Sequence, residues 1–167
     1  FRSAEAVGRD RMTAESNLKN AAEALSESEE ISVLTAGISM RPMLREHKDI
    51  AVIRRKSGRL KRNDVPLYSR PGSEKFILHR ILKVTPNGYV IRGDNLFKKE
   101  YDIKDENIVG VLRAFYRGGR YIDCEKSRGY KLYVFLNRAS YPARYFWRGL
   151  IRPTLGKIKR LIIRKNY

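Results

Sequence analysis

The chain has 167 residues, and 36 Lys and Arg residues against 18 Asp and Glu residues give it a formal net charge of +18 at pH 7. Hydrophobic residues make up 42% of it, enough for a real core, which argues against wholesale disorder, and a single cysteine excludes a disulfide scaffold. No apolar run approaches the roughly 20 residues that span a bilayer, so we expect a cytoplasmic or peripheral membrane protein without a transmembrane segment.

The first segment, residues 1–32, is acidic and has the composition of a helix. Leucine and alanine recur at spacings of three and four residues between positions 13 and 30, and this stretch contains no run of β-branched residues. Thr13 is a suitable N-cap. The sequence therefore predicts an N-terminal helical leader.

The second segment, residues 33–124, is the predicted β-rich core. Short stretches rich in β-branched and aromatic residues alternate with breaks that contain Gly, Pro, Asn and Ser. The predicted strands cover residues 31–36, 49–54, 64–70, 75–84, 88–92, 108–116 and 120–124. This spacing predicts a mainly β fold, a small antiparallel barrel or sandwich, and disfavours a sheet built from βαβ units.

The third segment, residues 125–167, is a basic tail. Aromatic and aliphatic residues alternate with Lys and Arg at helical spacing, and Pro142 and Pro153 divide the segment into amphipathic helices. Such helices can lie on an anionic membrane surface, which we expect for residues 128–167. Packing against the core and binding of nucleic acid are the alternatives.

Ser39 is the first candidate for catalysis. It lies at the end of a predicted strand, before the turn that Pro42 restricts. A nucleophilic serine needs such a position, because its Oγ must be exposed on a rigid backbone whose N–H groups can face a developing oxyanion. By spacing alone, however, a serine here is more commonly a turn residue or a helix cap.

His79 is the second candidate and lies in the apolar predicted strand 75–84. An apolar environment favours the neutral imidazole that a general base requires, although a lone histidine in a strand is more commonly a core residue. If Thr85 to Gly88 form a four-residue loop after this strand, His79 falls opposite Asp94 on the next strand. If Asn87-Gly88 is a two-residue turn, His79 falls opposite position 96. In both registers His79 and Asp94 share a face, about 5 to 8 Å apart at Cβ. Asp94 is therefore the predicted partner of the imidazole.

Three blocks follow one another in the sequence: Gly37-Ile38-Ser39-Met40-Arg41-Pro42-Met43, His79-Arg80-Ile81 and Gly93-Asp94-Asn95. In this order and spacing they resemble the type I signal peptidase and repressor-protease superfamily of serine peptidases, the S24/S26-like proteins, over about residues 33–123. Common bacterial signal peptidases have a lysine as general base. The His79-Arg80 pair is similar to the endoplasmic-reticulum-type branch, in which histidine has that role. The resemblance implies the mainly β catalytic core of this family.

The resemblance also implies roles for individual residues. Ser39 is the nucleophile and His79 the base. The acid is either Asp94, which the hairpin argument favours, or Glu100, six positions later. The substrate and oxyanion region comprises Gly37, Ile38, Met40 and Pro42.

The expected function is that of a serine endopeptidase that cleaves precursor, leader or signal peptides through a Ser-His-Asp acyl-enzyme mechanism. The substrate is a precursor peptide or preprotein, with small residues before the scissile bond. We expect no cofactor and no metal, because His47, His79 and Cys124 have no ligand spacing. The alternative is a non-catalytic or self-cleaving repressor-like protein that binds nucleic acid or acidic surfaces through its basic tail, although the leader is short and acidic for a helix-turn-helix.

Overall fold

The described part of the chain is mainly antiparallel β-sheet, as predicted. The computed structural model describes residues 23–25, 27–70, 73 and 75–147. The strands are β1 (Glu30–Leu34), β2 (Ile50–Arg55), β3 (Pro66–Ser69), β4 (Phe76–Leu78), β5 (Arg80–Thr85), β6 (Gly88–Arg92), β7 (Glu100–Ile103), β8 (Ile108–Arg117) and β9 (Arg120–Asp123). A 3-10 turn at Asp105–Asn107 precedes β8, and the helices α1 (Arg128–Ala139) and α2 (Tyr141–Tyr145) follow β9.

The strands form two sheets. The larger sheet has the order β1-β2-β8-β3-β4, with β9 also paired to β8, and the smaller sheet has the order β5-β6-β7. The larger sheet curls into a half-barrel, so the fold agrees with a small β-barrel. Strands β1 and β4 are the two ends of the five-strand path, and the loop that carries Ser39 leaves the end of β1.

Two apolar clusters form the core. The first contains Met40, Met43 and Leu44 from the loop after β1, packed with residues of β2, β3 and β8. The second joins the smaller sheet to β3 and β8 through residues that include Tyr68, Ile81 and Tyr89. Each buried aliphatic side chain stabilises the fold by about 1.5–3 kcal/mol. The loop around Ser39 is therefore held in place by its own apolar residues.

The structure divides the predicted strand 75–84 into β4 and β5, which belong to different sheets. β4 pairs with β3, whereas β5 pairs with β6, and His79 is the single residue between them. The prediction of one continuous strand was wrong because an unbroken apolar run does not reveal where a chain leaves one sheet for another. β7 was not predicted, since its four residues include two carboxylates and show no apolar alternation.

A β-bulge changes the register of the β5–β6 hairpin. Near the turn Val84 pairs with Tyr89, as the four-residue loop requires, but the register shifts between Ile81 and Lys83. Arg80 consequently pairs with Arg92. A register shift of one residue moves each side chain to the opposite face of the strand. Beyond the bulge, each residue of β5 therefore has a different partner from the one that the unshifted register predicts.

The ends of the described region connect the predicted leader and tail to the core. Residues 23–25 and 27 are helical, and the rest of the predicted leader helix lies outside the described residues, apart from its last few positions. β1 begins at Glu30, before the predicted boundary at residue 33. The N-cap of α1 is Ser127, whose Oγ accepts a hydrogen bond from the N–H of Tyr130 at 3.2 Å.

The two helices of the tail separate close to Pro142. α1 ends at Ala139 with Ser140 as its C-cap, and Pro142 occupies the first turn of α2, where its missing N–H is not needed. Pro153 lies outside the described residues. No helix within the described ranges is both long enough and apolar enough to cross a membrane.

Candidate active site

Ser39 is half-buried in the loop that follows β1. The neighbouring Met40 is 4% exposed and belongs to the first core cluster, which fixes the backbone on that side. The carbonyl oxygen of Ser39 accepts a hydrogen bond from the N–H of Asn95 at 2.8 Å. Its Oγ has no hydrogen-bond partner among the residues that the structure describes, and hydroxyls of this kind often gain their partner only when substrate binds.

His79 lies between the two sheets and is 2% exposed. Its Nδ1 is 2.9 Å from Oε1 of Glu100 and 3.1 Å from the hydroxyl of Tyr68. Because a carboxylate can only accept, Nδ1 carries the proton and donates it to Glu100. Nε2 is then the nitrogen with a free lone pair, as a general base requires.

Gly93 lies between His79 and the Ser39 loop. A Cβ built at this position would be 2.7 Å from the carbonyl oxygen of Ser39 and 3.0 Å from Nε2 of His79. Both groups therefore approach the same point of the Gly93 backbone, and only glycine leaves room for them. Nε2 of His79 accordingly lies close to the loop that carries the candidate nucleophile.

Hydrogen bonds from Asn95 link the turn after β6 to the Ser39 loop. Its N–H donates to the carbonyl of Ser39, and its Nδ2 donates to the carbonyl of Ile38 at 3.1 Å. The Gly93-Asp94-Asn95 block thus contributes a close approach through its first residue and two hydrogen bonds through its third. The structure brings the first and third predicted blocks into direct contact.

Glu100 is held by Arg70 as well as by His79. Nε and an Nη atom of Arg70 donate to the two carboxylate oxygens at 2.6 and 3.0 Å, a bidentate arrangement. Burial raises the pKa of Glu100, but hydrogen bonds from Arg70 and Tyr68 outweigh it, and the net pKa lies below the ordinary value. Glu100 is therefore ionised at neutral pH.

Burial is the largest influence on the pKa of His79 and lowers it, because the charged imidazolium loses its hydration. Glu100 acts in the opposite direction and raises the pKa, while Arg70 lowers it. The net pKa lies below the ordinary value of His. The imidazole is therefore neutral at pH 7, and Glu100 is placed to stabilise the imidazolium when the ring takes a proton.

Among the described residues no hydrogen bond joins Asp94 to His79, and the expectation that the two lie directly opposite each other is wrong. Instead, Arg80 donates to both Asp94 oxygens at 2.8 and 2.7 Å, in an ion pair whose side chains are 1% and 2% exposed. The hydroxyl of Tyr133 donates to the same carboxylate at 3.0 Å. The bulge in β5 explains why Asp94 meets Arg80 and not His79. It shifts the register of the strand by one position for both Arg80 and His79.

Arg80 links this ion pair to the tail and to the Ser39 loop. One Nη atom donates to the carbonyl of Asn63 at 2.9 Å and to the hydroxyl of Tyr130 at 3.0 Å. The other Nη atom contacts Sδ of Met43 at 2.8 Å. The first helix of the tail therefore packs on the core, which was one of the alternatives for this segment, and its Tyr130 contacts Arg80 next to the site.

The predicted oxyanion region is only partly available. The N–H of Gly37 donates to Oε1 of Glu46 at 3.0 Å, so it is already engaged. The carbonyl of Pro42 accepts from Arg117 at 3.0 Å. Among the described residues nothing accepts a hydrogen bond from the N–H groups of Ser39 and Met40, so these two remain as donors for an oxyanion.

A cleft of about 300 Å³ begins at Ser39 and runs between two strands of the larger sheet. One wall is the end of β1 with the residues that follow it, and the other wall is β4 with Leu67 of β3. The lining is largely apolar.

The remaining predicted groups lie apart from Ser39. His47 is exposed beside Glu46, with 3.8 Å between Nε2 and Oε1. Burial raises the pKa of Cys124 to about 12, so this half-buried thiol is protonated at neutral pH. Within the described ranges no three His, Cys, Asp or Glu side chains converge on a point where they could hold a metal ion.

Comparison with known proteins gives no assignment. No family model matches the sequence, and no curated protein matches it significantly.

Proposed function

We propose that the chain is a serine endopeptidase of the signal-peptidase type, with Ser39 as nucleophile, His79 as general base and Glu100 as the group that orients the base. One observation carries this proposal. Nδ1 of the buried imidazole is bound to a carboxylate, while Nε2 faces the Ser39 loop across a glycine that leaves no space for a side chain. This arrangement agrees with the motif resemblance and replaces Asp94 by Glu100 as the acid.

The reaction proceeds by acyl transfer. Nε2 of His79 takes the hydroxyl proton of Ser39 as Oγ attacks the carbonyl carbon of the scissile peptide bond. The resulting oxyanion accepts hydrogen bonds from the N–H groups of Ser39 and Met40. The imidazolium returns its proton to the leaving amine, and the C–N bond breaks. His79 then deprotonates a water molecule that hydrolyses the ester, which releases the acid product and restores Ser39.

The substrate lies in the cleft between β1 and β4 as an additional strand. Both strands are at the ends of the larger sheet, so their backbone groups on the cleft side can pair with an extended peptide. The apolar lining suits the hydrophobic segment of a precursor, leader or signal peptide. The small volume beside Ser39 favours small residues just before the scissile bond, as the family resemblance implies.

The tail places the enzyme at a membrane surface. Phe135 of α1 and Phe146 and Trp147 after α2 are 66%, 60% and 59% exposed, and they alternate with Lys and Arg along the chain. Aromatic side chains at headgroup depth and cations toward anionic lipid are typical of peripheral membrane helices. The protein is therefore a membrane-associated peptidase that acts on precursor peptides at the bilayer.

Cleavage of a precursor-peptide library tests the proposal. Wild type is compared with Ser39→Ala and His79→Ala, and the exposed Ser57→Ala and His47→Asn serve as matched controls. Cleavage should be lost in the first two variants and retained in the controls, at sites preceded by small residues. Retained cleavage in a folded Ser39→Ala or His79→Ala variant would overturn the assignment.

A further inference from the structure

A second, larger cavity lies between the smaller sheet and helix α1. It has a volume of about 980 Å³ and is bounded by β5, β6, β7 and the start of α2. We call it the basic groove, because five of its lining residues are Arg62, Lys83, Arg92, Lys99 and Arg138. None of its lining residues also lines the cleft at Ser39.

The charge of the basic groove is not balanced. Its lining includes five cations and neither Asp nor Glu. None of the five forms a salt bridge with a residue in the described part of the chain. The neighbouring cavity, which shares Arg62, Asn63, Phe135 and Arg138 with the groove, differs in that its lining includes the carboxylates Asp64 and Glu125. A cavity that concentrates one sign of charge attracts a ligand of the opposite sign.

Arg92 is the most deeply placed of these cations. It is 4% exposed, and its Nε is buried without a hydrogen-bond partner among the described residues. Its guanidinium carbon lies 3.5 Å from the ring centroid of Tyr141, which fixes the plane of the fork. Burial is the largest influence on the pKa of Arg92 and lowers it, and Tyr141 and the carboxylate of Asp94 offset this effect only in part. A buried guanidinium without an ion pair is unfavourable, and a bound anion would reduce that penalty.

The chemistry of the groove favours a phosphate group. The planar fork of Arg92 suits two oxygens of a phosphate, and the ammonium groups of Lys83 and Lys99 can neutralise the remaining charge. The volume exceeds what inorganic phosphate needs. Tyr101 and Phe135, which are 62% and 66% exposed, line the same space and offer apolar surface for an organic substituent.

We propose that the basic groove is a binding site for a phosphate group that is attached to an organic molecule. The phosphate is either that of an anionic phospholipid headgroup or that of a soluble phosphate ester. Phe135 lies on the same helix as Arg138, and the exposed Phe146 and Trp147 follow the helix that begins at Tyr141, so a lipid bound in the groove would be continuous with the proposed membrane surface. Neither Ser39 nor His79 takes part in this site.

Calorimetric titration of the full chain with inorganic phosphate and with glycerol 3-phosphate tests the proposal. We expect saturable binding at one site, weaker at high salt, with glycerol 3-phosphate at least as tight as phosphate. The double variant Lys83→Gln/Arg138→Gln, in which both residues are exposed, should bind about tenfold more weakly or worse. The double variant Lys48→Gln/Arg120→Gln removes the same charge elsewhere on the surface and should bind within about twofold of wild type.

Vesicles distinguish the two sources of phosphate. If the groove variant also loses binding to phosphatidylglycerol vesicles while the control variant keeps it, the ligand is a lipid headgroup. If vesicle binding is equal in the two variants but glycerol 3-phosphate binding differs, the ligand is a soluble ester. The proposal is overturned if neither phosphate compound binds, if both double variants weaken binding equally, or if the groove binds only an oligonucleotide.

Discussion

Nδ1 of His79 lies 2.9 Å from Oε1 of Glu100, and this hydrogen bond determines what the imidazole can do. It places the ring proton on Nδ1 and leaves the lone pair on Nε2, the ring nitrogen that lies beside Gly93 and close to the Ser39 loop. Arg70 holds the carboxylate from its other side through a bidentate contact. The proposed base lies at the junction of the two sheets, the carboxylate proposed to orient it lies at the start of β7, and the loop of the proposed nucleophile follows β1.

Glu100→Gln should lower kcat/KM by about 10²- to 10⁴-fold, because the amide cannot stabilise the imidazolium or enforce the required tautomer. The fold should persist, since Glu100 lies at the edge of the core with its side chain 14% exposed. Peptide cleavage measured alongside thermal unfolding separates the two effects.

Asp94→Asn should act mainly on stability. It leaves the buried guanidinium of Arg80 without its counter-charge, which lowers the free energy of unfolding by about 3–5 kcal/mol. Glu125→Gln, which removes an exposed partner of Arg54, is the control and should change stability by less than about 1 kcal/mol. If folded Asp94→Asn were the inactive variant and Glu100→Gln the active one, the assignment of the acid would be wrong.

Gly93→Ala should abolish cleavage while the protein remains folded. The added methyl would lie 2.7 Å from the Ser39 carbonyl and 3.0 Å from Nε2 of His79, so one of the two must move. Displacement of a catalytic group by about 1 Å costs about 10²-fold in rate, and overpacking costs about 1–3 kcal/mol of stability. Gly129→Ala is the matched control, because its Cβ would have only one neighbour, at 3.8 Å. Equal activity of the two variants would contradict the proposed geometry.

The pH dependence of kcat/KM should report the lowered pKa of His79. Protonated imidazole cannot act as a base, so activity rises with pH through this pKa, and burial places that rise below about 6.5. Glu100→Gln removes an influence that raises the pKa and should move the rise to lower pH. The positive charge of Arg70 lowers the pKa of His79, so Arg70→Gln should move the rise in activity to higher pH. If the pH profiles of Glu100→Gln and Arg70→Gln shift in the same direction, or if neither profile shifts, His79 is not the titrating base.

Flotation with anionic vesicles tests the membrane surface. Phe146→Ser/Trp147→Ser removes two exposed aromatic side chains beyond α2 and should reduce the vesicle-bound fraction several-fold, with binding further weakened by salt. Tyr116→Ser/Tyr121→Ser, which alters an exposed aromatic pair on β8 and β9, should float like wild type. Equal loss in both variants would mean that exposed aromatic residues in general, and not the tail, determine the association.

The sequence predicted the fold class and the residues that the structure brings together, but not their pairing. Each of Ser39, His79 and the Gly93-Asp94-Asn95 block has only a weak signal by itself, and it was the order and spacing of the three blocks that singled them out together. The pairing of Asp94 with Arg80 depends on a bulge of one residue within β5. A pattern of period two is the same with or without that bulge, so the hairpin argument placed Asp94 beside His79, where the structure has Glu100.

The supporting residues were missed for a related reason. Tyr68 and Arg70 lie in a predicted strand, but nothing local indicates that they reach across to β7 and the junction at His79. Tyr130 and Tyr133 belong to a tail whose alternation of aromatic and basic residues fits a membrane face and a packed face equally well. Only the fold shows that their hydroxyl groups contact Arg80 and Asp94.

The most direct test of the account is to trap the acyl-enzyme. A peptide from the library that wild type cleaves is mixed with excess enzyme, quenched in acid within the first turnover and analysed by mass spectrometry after digestion of the protein. The account predicts a transient adduct equal in mass to the N-terminal product less one water, located on Ser39 and absent from Ser39→Ala, with cleavage lost in that variant. An adduct on another residue, or cleavage by Ser39→Ala at the wild-type rate, would contradict it.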